Sequence, residues 1–456
     1  MEMEKNRKHG LFIKFSLWIS PISYFGFRLM GKNISKVASL CDKEAPKAIE
    51  NPCNPLIYIF VNPTSGGNAA AAMLRVGSNE LVFTEEGVRS NVYIYNIRDG
   101  DQGNKPGFLN MKRHIEEHDA DLRPVHVIIA GGDGTVMWAI SEAEAHGIDM
   151  SRISFGVIPY GTGNDFARSL GWGGSSPGKG IMKKEMAGFK ALIREYLRAD
   201  IIDFDIWRIT VKVLDDKGII KQIRDGTKVV MKEGEVDKKV LSKPMCNYFS
   251  VGVESRIGLG FDKNRTTSSF RNKLRYGIEG VKKMFLSTPR IAELVDSCVV
   301  CDSNERVLFS TNSQEERRFP FLNGNPVSLI FLNICSFAGG CDLWSGSKKS
   351  GLVSQEEQKP ESFAPQFSGD GKLDILTYNG LLGLSLEQSK SRILGGNGRR
   401  VGQEAGPLIL NFKKNVTDKR TYMQIDGEFF TLENVESISV SHNLVVKVLR
   451  KNNNIA

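Results

Sequence analysis

Between Leu56 and Gly161 the chain alternates short, unbroken apolar runs with longer amphipathic stretches. LIYIFVNP (56–63), NVYIYNI (91–97), VHVIIAGG (125–132) and ISFGVIPYG (153–161) have the pattern of strands buried inside a parallel sheet. AAAAMLRVG (69–77), LNMKRHIEEH (109–118) and TVMWAISEAEAHG (135–147) lie between them and predict helices. Strand, helix, strand at this spacing predicts parallel pairing with right-handed crossovers, so the loops at the carboxyl edge should gather around a ligand. Those loops are NPTSGG, GGDGT and PYGTGND.

After about Ala199 the pattern changes to short alternating segments with few helices: DFDIWRITVKVL, NYFSVGVESRI, SLIFLNICSF, KLDILTYNG, LILNF, YMQIDGEFF and SISVSHNLVVKVL. That grammar predicts a second, mainly antiparallel β domain. The expected organisation is an N-terminal extension over 1–54, an α/β Rossmann-like domain over 55–199 and a β domain over 200–450. Polar stretches at 215–243, 303–325 and 345–362 predict exposed loops or hairpins.

Composition adds a bias in partners. The 456 residues carry a net charge of +9, which favours phosphates, nucleotides or acidic membrane surfaces. Seven widely spread cysteines, an odd number, suit a reducing compartment. LFIKFSLWISPISYFGFRL (11–29) is aromatic and flanked by basic residues, but Lys14 and Pro21 interrupt it as a spanning helix. It reads either as a segment packed on the core or as an interfacial membrane anchor using Trp18 and Phe25.

The candidate chemistry lies in the glycine loops. GGDGT follows an apolar strand and opens a helix, where free amides and the positive dipole end favour an anion. Taken alone it could equally be a turn. NPTSGG and PYGTGND repeat the arrangement, with Thr64, Ser65, Thr162, Asn164 and Asp165 adding polar groups, so the three together predict one composite phosphate site. No Walker A motif is present: Gly173 to Lys179 is followed by Gly180 instead of Ser or Thr, and no strand precedes it. HIEEH (114–118) has zinc-ligand spacing without an evident third ligand, and Cys298 with Cys301 is a lone CxxC. In the second domain Asp370, Asp374, Asp426 and Glu428 each sit beside a glycine turn, and such residues are usually turn formers. If that domain closes over the first, Asp426 and Glu428 could face the phosphate loops, as proton acceptor or metal ligand.

In combination these motifs resemble the diacylglycerol kinase family, catalytic plus accessory region of the eukaryotic type. NPTSGG, GGDGT and GTGNDFARSLGW match the catalytic half. NYFSVGVESRIGLGFDKNR, RNKLRYGIEG, LNICSFAGGCDLW, GDGKLDI and QIDGEFF match the accessory half in order, over about 56–449. The resemblance implies the two-domain fold shared with NAD kinases. It also implies ATP and Mg2+ as cofactors, diacylglycerol in the membrane as substrate, and phosphatidic acid as product. By matched motif, Asn62, Thr64, Ser65 and Gly66 would line the phosphate loop; Gly131, Gly132, Asp133, Gly134 and Thr135 would hold the nucleotide and its metal, with Thr162 close to the phosphates. Asp426 matches the family's proton acceptor, with Asp133 as the rival base and Glu428 beside it on the ATP side. Asp370 matches a position linked to structural magnesium in bacterial relatives. Glu254 stands where the family pattern has Asp, and CSFAGG replaces a proline-containing form. The resemblance further implies a cytoplasmic, peripherally membrane-associated protein that docks on an anionic surface and does not bind nucleic acid.

Overall fold

The computed structural model describes residues 55–76, 80–85, 88–117, 124–224, 227–230, 239–253, 255–256, 289–303, 305–312, 318–353, 363–380, 383–384, 397–414 and 419–452. The N-terminal segment proposed as an anchor, Glu254, His118 and the FDKNR and RNKLRYGIEG motifs lie outside them.

The four expected strands form. β1 (Leu56–Val61), β3 (Val88–Asn96), β4 (Val125–Gly131) and β5 (Ile153–Pro159) pair in parallel in the order β3-β1-β4-β5, with β2 (Glu80–Glu85) antiparallel on the outside of β3. Every residue of β1, β4 and β5 is buried, because helices cover both faces. On one face Tyr58, Phe60, Val127, Ile129 and Phe155 pack against α1 (Pro106–Glu117) and α2 (Asp133–Ala145). On the other, Ile57, Ile59, Ile128 and Ile158 pack against α4 (Ala187–Leu197) and the turn at Ala70–Arg75. A short α3 (Asp165–Ser169) starts after the PYGTGND loop.

One expectation changes. The alanine run folds as a 3-10 helix rather than an α-helix. Gly66, Gly67 and Asn68 all have positive φ (61°, 63° and 67°), so the chain enters that turn from a left-handed bend that breaks a continuous α-helical path. Within the polar stretches, Ile219–Arg224 and Thr227–Val230 pair as one of the expected hairpins, and Arg306–Ser310 is a strand paired with Val295–Val300. Their alternation is diluted by lysine and arginine, which hides the period of two.

The second half is β-rich. Tyr248–Gly252 lies between Ser328–Leu332 and Thr421–Ile425, antiparallel to both, inside a nine-stranded sheet. Its inner face packs with Trp207, Ile209, Cys298, Leu410 and Ile438 in one large core. The C-terminal strand Val435–Arg450 joins the two halves: it runs antiparallel to Asp200–Val213 along its length and ends parallel to β5, through Lys447 opposite Ser154 and Val448 opposite Phe155. Trp172 of the SLGW motif clamps that end by donating from Nε1 to the Leu449 carbonyl at 2.6 Å. The sheet begun by β1 therefore continues through the last strand into the β-rich half.

Candidate active site at the junction of the two halves

Because β1, β4 and β5 are neighbours, their three following loops meet at one edge. Asn62 N–H donates to the Ala130 carbonyl at 3.0 Å, and Tyr160 N–H donates to the Gly131 carbonyl at 2.8 Å. Asn62 Nδ2 reaches Thr135 Oγ1 at 3.3 Å, while its Oδ1 accepts from the Thr64 hydroxyl at 2.9 Å. The glycines are needed for contact between loops. A Cβ on Gly161 would lie 2.7 Å from the Cα of Gly132, and one on Gly66 would lie 2.8 Å from the Tyr160 ring. Gly134 is the exception: a Cβ there would meet nothing within 4 Å, so the first turn of α2 faces open space. Ser65 and Thr162 are half-buried in the same loops. The Gly173–Lys179 segment is a loop held by its carbonyls, with Asn164 Nδ2 donating to Gly174 O at 3.0 Å and the Tyr160 hydroxyl to Gly178 O at 3.4 Å.

Carboxylates organise this edge. Asp133, the first residue of α2, accepts from the amides of Asp165 (3.0 Å) and Phe166 (3.2 Å), and so caps α3 from a neighbouring element. Asp165 turns its own carboxylate to the β-rich half. It accepts from Ser336 Oγ (2.6 Å), the amides of Gly339 (2.8 Å) and Gly340 (3.1 Å), and the Tyr248 hydroxyl (3.1 Å). Both are thus tied into one chain of bonds from α2 through α3 to the CSFAGG loop.

Asp426 enters from the opposite side. Asp426 and Gly427, with φ of 47° and 82°, form the two-residue turn of the hairpin that pairs Ile425 with Glu428. The DG pair is therefore a hairpin turn, and its aspartate also gathers backbone: Oδ1 accepts from the amides of Asn247 (2.8 Å) and Tyr248 (3.0 Å), Oδ2 from that of Cys246 (2.7 Å). Burial pushes Asp426 up to about 6, against the pull of those amides. Burial also raises Asp133, reinforced by the negative charges of Asp165 and then Asp426, and raises Asp165 itself. The Cys246 thiol is pushed far up by burial and by Asp426 and Asp133, so it stays neutral. Three acidic groups from three elements thus share one electrostatic environment.

Other expected residues lie elsewhere. Glu428 points its carboxylate to Lys243, in an ion pair, and accepts from Gln222 Nε2 at 2.9 Å. Asp370 sits in a turn, with Oδ1 accepting from Lys372 N–H at 3.0 Å; burial raises it, and the nearby Asp205 adds to the rise. Burial pushes Asp374 up to about 8. Among the described residues no three His, Cys, Asp or Glu side chains come together as a metal cage. His114 of HIEEH is bonded to the Tyr58 hydroxyl, and Cys298 and Cys301 are both free. Two pockets, of about 360 and 240 Å³, are lined by none of the junction residues.

Sequence reasoning placed Asp165 among the polar groups of its loop without foreseeing its bonds across the junction, left Tyr248 and Ser336 outside the site and did not single out Asn333. Asn333 is buried, and it donates to the carbonyls of Asp205 (2.9 Å) and Cys246 (2.7 Å) while accepting from Trp207 Nε1 (3.0 Å). It thereby supports the strand end whose amides hold Asp426. The usable signal was membership of all four in the NYFSVGV, LNICSFAGG and GTGND motifs.

A parallel sheet with three glycine loops at one edge, met by a carboxylate-bearing β-rich half, makes a two-part architecture whose loop edge suits an anion. The diacylglycerol kinase catalytic domain model matches residues 56–197, and the diacylglycerol kinase accessory domain model matches residues 244–429. The chain belongs to the diacylglycerol kinase family. It is 27% identical over 408 residues to probable diacylglycerol kinase 3 of Caenorhabditis elegans, covering 86% of this chain and 43% of that protein. To human diacylglycerol kinase zeta it is 25% identical, covering 83% of this chain and 34% of the relative. To mouse diacylglycerol kinase theta it is 28% identical, covering 82% and 33%. The chain therefore spans less than half the length of these curated relatives.

Proposed function

We propose that this chain transfers the γ-phosphoryl group of ATP to the free hydroxyl of 1,2-diacylglycerol, forming phosphatidic acid. The observation that carries the reading is the meeting of the three phosphate loops and Asp133 with Asp426 across the junction. The alcohol oxygen bonds to the γ-phosphorus, the bond to the β-phosphate oxygen breaks, ADP leaves and the hydroxyl proton passes to a carboxylate. Such transfer needs positioning and charge neutralisation more than covalent help. Asn62, Thr64, Ser65, Gly66, Gly131, Gly132, Gly134, Thr135 and Thr162 would cradle the nucleotide. Asp426 is the proposed proton acceptor: a carboxyl raised to about 6 matches an acceptor working near neutrality better than an ordinary aspartate. Asp133 is the rival. Glu428 could reach ATP only by leaving Lys243.

The donor set fits Mg2+ that arrives with ATP. Magnesium commonly takes one or two carboxylates together with phosphate oxygens and waters, and here carboxylates cluster without a protein cage among the described residues. Asp133 would hold it, and it would supply charge neutralisation; Asp370 is a second, structural candidate. The parallel order β3-β1-β4-β5 with helices on both faces supports a Rossmann-like, NAD kinase-type first domain over 55–199, followed by a β domain over 200–450.

Among the described residues no helix is long and apolar enough to cross a membrane. The net charge of +9 supports peripheral docking of a cytoplasmic protein on an anionic leaflet, with residues 1–54 as the attachment. Deleting residues 1–50 should then reduce pelleting with anionic vesicles; undiminished pelleting would remove the segment from that role. For the activity itself, the test is Mg-ATP with a panel of defined lipids. Phosphatidic acid from diacylglycerol is the expected product. A phosphorylated sphingoid base or ceramide in its place would overturn the substrate.

A further inference from the structure

The side chains already placed at the junction leave a charge imbalance. Asp133, Asp165 and Asp426 are all acidic, the triphosphate is anionic, and no P-loop lysine exists in this sequence. The α2 N-terminus offers only about half a positive charge. Some fixed cation should therefore stand at the loop edge.

Arg98 stands there. It leaves β3, the strand beside β1, and the local chain sets its position. Ile97 N–H donates to Val61 O at 3.1 Å, Arg98 N–H donates to Asn96 Oδ1 at 3.1 Å, and Asn96 Nδ2 donates to Asp99 Oδ1 at 3.0 Å. The guanidinium then crosses to the neighbouring loop, where Nη2 donates to Thr64 Oγ1 at 3.2 Å. Thr64 is itself fixed by its hydroxyl bond to Asn62. Among the described residues Arg98 has no carboxylate partner, and it is exposed. Arg168, whose charge acts on Asp165, donates from Nε to Gly163 O at 3.0 Å, and Lys105 Nζ donates to Gly100 O at 2.6 Å.

We propose that Arg98 binds the phosphate chain of ATP, supplying from the end of β3 the positive charge that a P-loop lysine supplies in other nucleotide sites. The inference rests on the nucleotide reading above. A guanidinium held over the NPTSGG loop keeps several donors free for phosphate oxygens, in the planar arrangement that suits them.

The test separates phosphate binding from a structural role. In Arg98→Ala, KM for Mg-ATP should rise about tenfold while kcat stays within about threefold and KM for diacylglycerol is unchanged. By calorimetry on the full chain, ADP affinity should fall by a similar factor while adenosine affinity holds. Arg98→Lys should recover part of the ADP affinity, and thermal stability should match wild type because Arg98 is exposed. ADP affinity within twofold of wild type in Arg98→Ala would overturn the inference, as would equal weakening of ADP and adenosine. A wild-type protein that binds ADP yet phosphorylates no lipid would count against the kinase reading alone, and the Arg98 comparison would still be decided.

Discussion

The two halves bring groups to the junction by opposite routes. In the first, the loops are continuous with the strands that carry them, and most of their bonds run between the ends of adjacent strands, as from Asn62 to Ala130 and from Tyr160 to Gly131. In the second, one hairpin turn presents Asp426, which is held by the amides of Cys246 to Tyr248, some 180 positions earlier in the chain. The first route makes a surface that is legible as motifs. The second makes a single group whose environment exists only after long-range pairing. The difference implies that damage to the first half should weaken nucleotide binding, whereas damage to the second should stop transfer.

The largest expected effect tests that directly. Asp426→Asn removes the proposed acceptor and turns an amide NH2 toward one of the three backbone donors. We expect kcat to fall about 10³-fold, with ADP affinity retained when both are measured on the same preparation. Loss of ADP affinity in its place would move Asp426 to a metal role. Asp165→Asn comes next, since its two oxygens accept only, from groups on the opposite half. An amide there leaves at least one buried donor unpaired and should cost about 2–3 kcal/mol, read from urea unfolding, with turnover falling as the halves loosen.

Smaller effects sharpen the comparison. Gly161→Ala places a Cβ 2.7 Å from Gly132 Cα and should cost about 1–3 kcal/mol of strain while raising KM for Mg-ATP more than it lowers kcat. For pH, the sign differs between stability and rate. Asp426 and Asp133 are raised above their unfolded values, so their stabilising contribution is greatest below about pH 4 and is lost as pH rises through about 6 for Asp426 and about 7 for Asp133. The rate should move the other way: kcat/KM should fall about tenfold from its plateau by one pH unit below 6, in a pH-rate profile. Glu428→Gln should change KM for Mg-ATP less than about threefold, because Lys243 and Gln222 already engage the carboxylate. A larger rise would return Glu428 to the nucleotide.

Much of the fold was legible because burial on both faces writes an unbroken apolar run. Ile57, Ile59, Ile128 and Ile158 had to be apolar for one layer, and Tyr58, Phe60, Val127 and Phe155 for the other. The glycine loops were legible because close approach excludes a Cβ at Gly132 and Gly161. Asp165 was harder to read. Its residue type suits a helix start, and nothing local distinguishes a cap from a carboxylate that bonds Ser336 and Gly339 across the junction. The same limit explains the C-terminal strand, whose alternation predicts a strand but not that Lys447 and Val448 would pair beside β5.

By itself, then, the sequence determined the local matters: which apolar runs are strands, where the backbone must be bare of side chains, and which loops follow those strands to one edge. Only the tertiary structure decided that Asp133 spends its carboxylate on α3, that Asp426 is both hairpin turn and amide collector, and that Arg98 lies over Thr64. Periodicity and steric exclusion act between near neighbours and leave a trace in composition. Bonds between residues far apart in the chain depend on which strands meet, and that choice is made by the whole core.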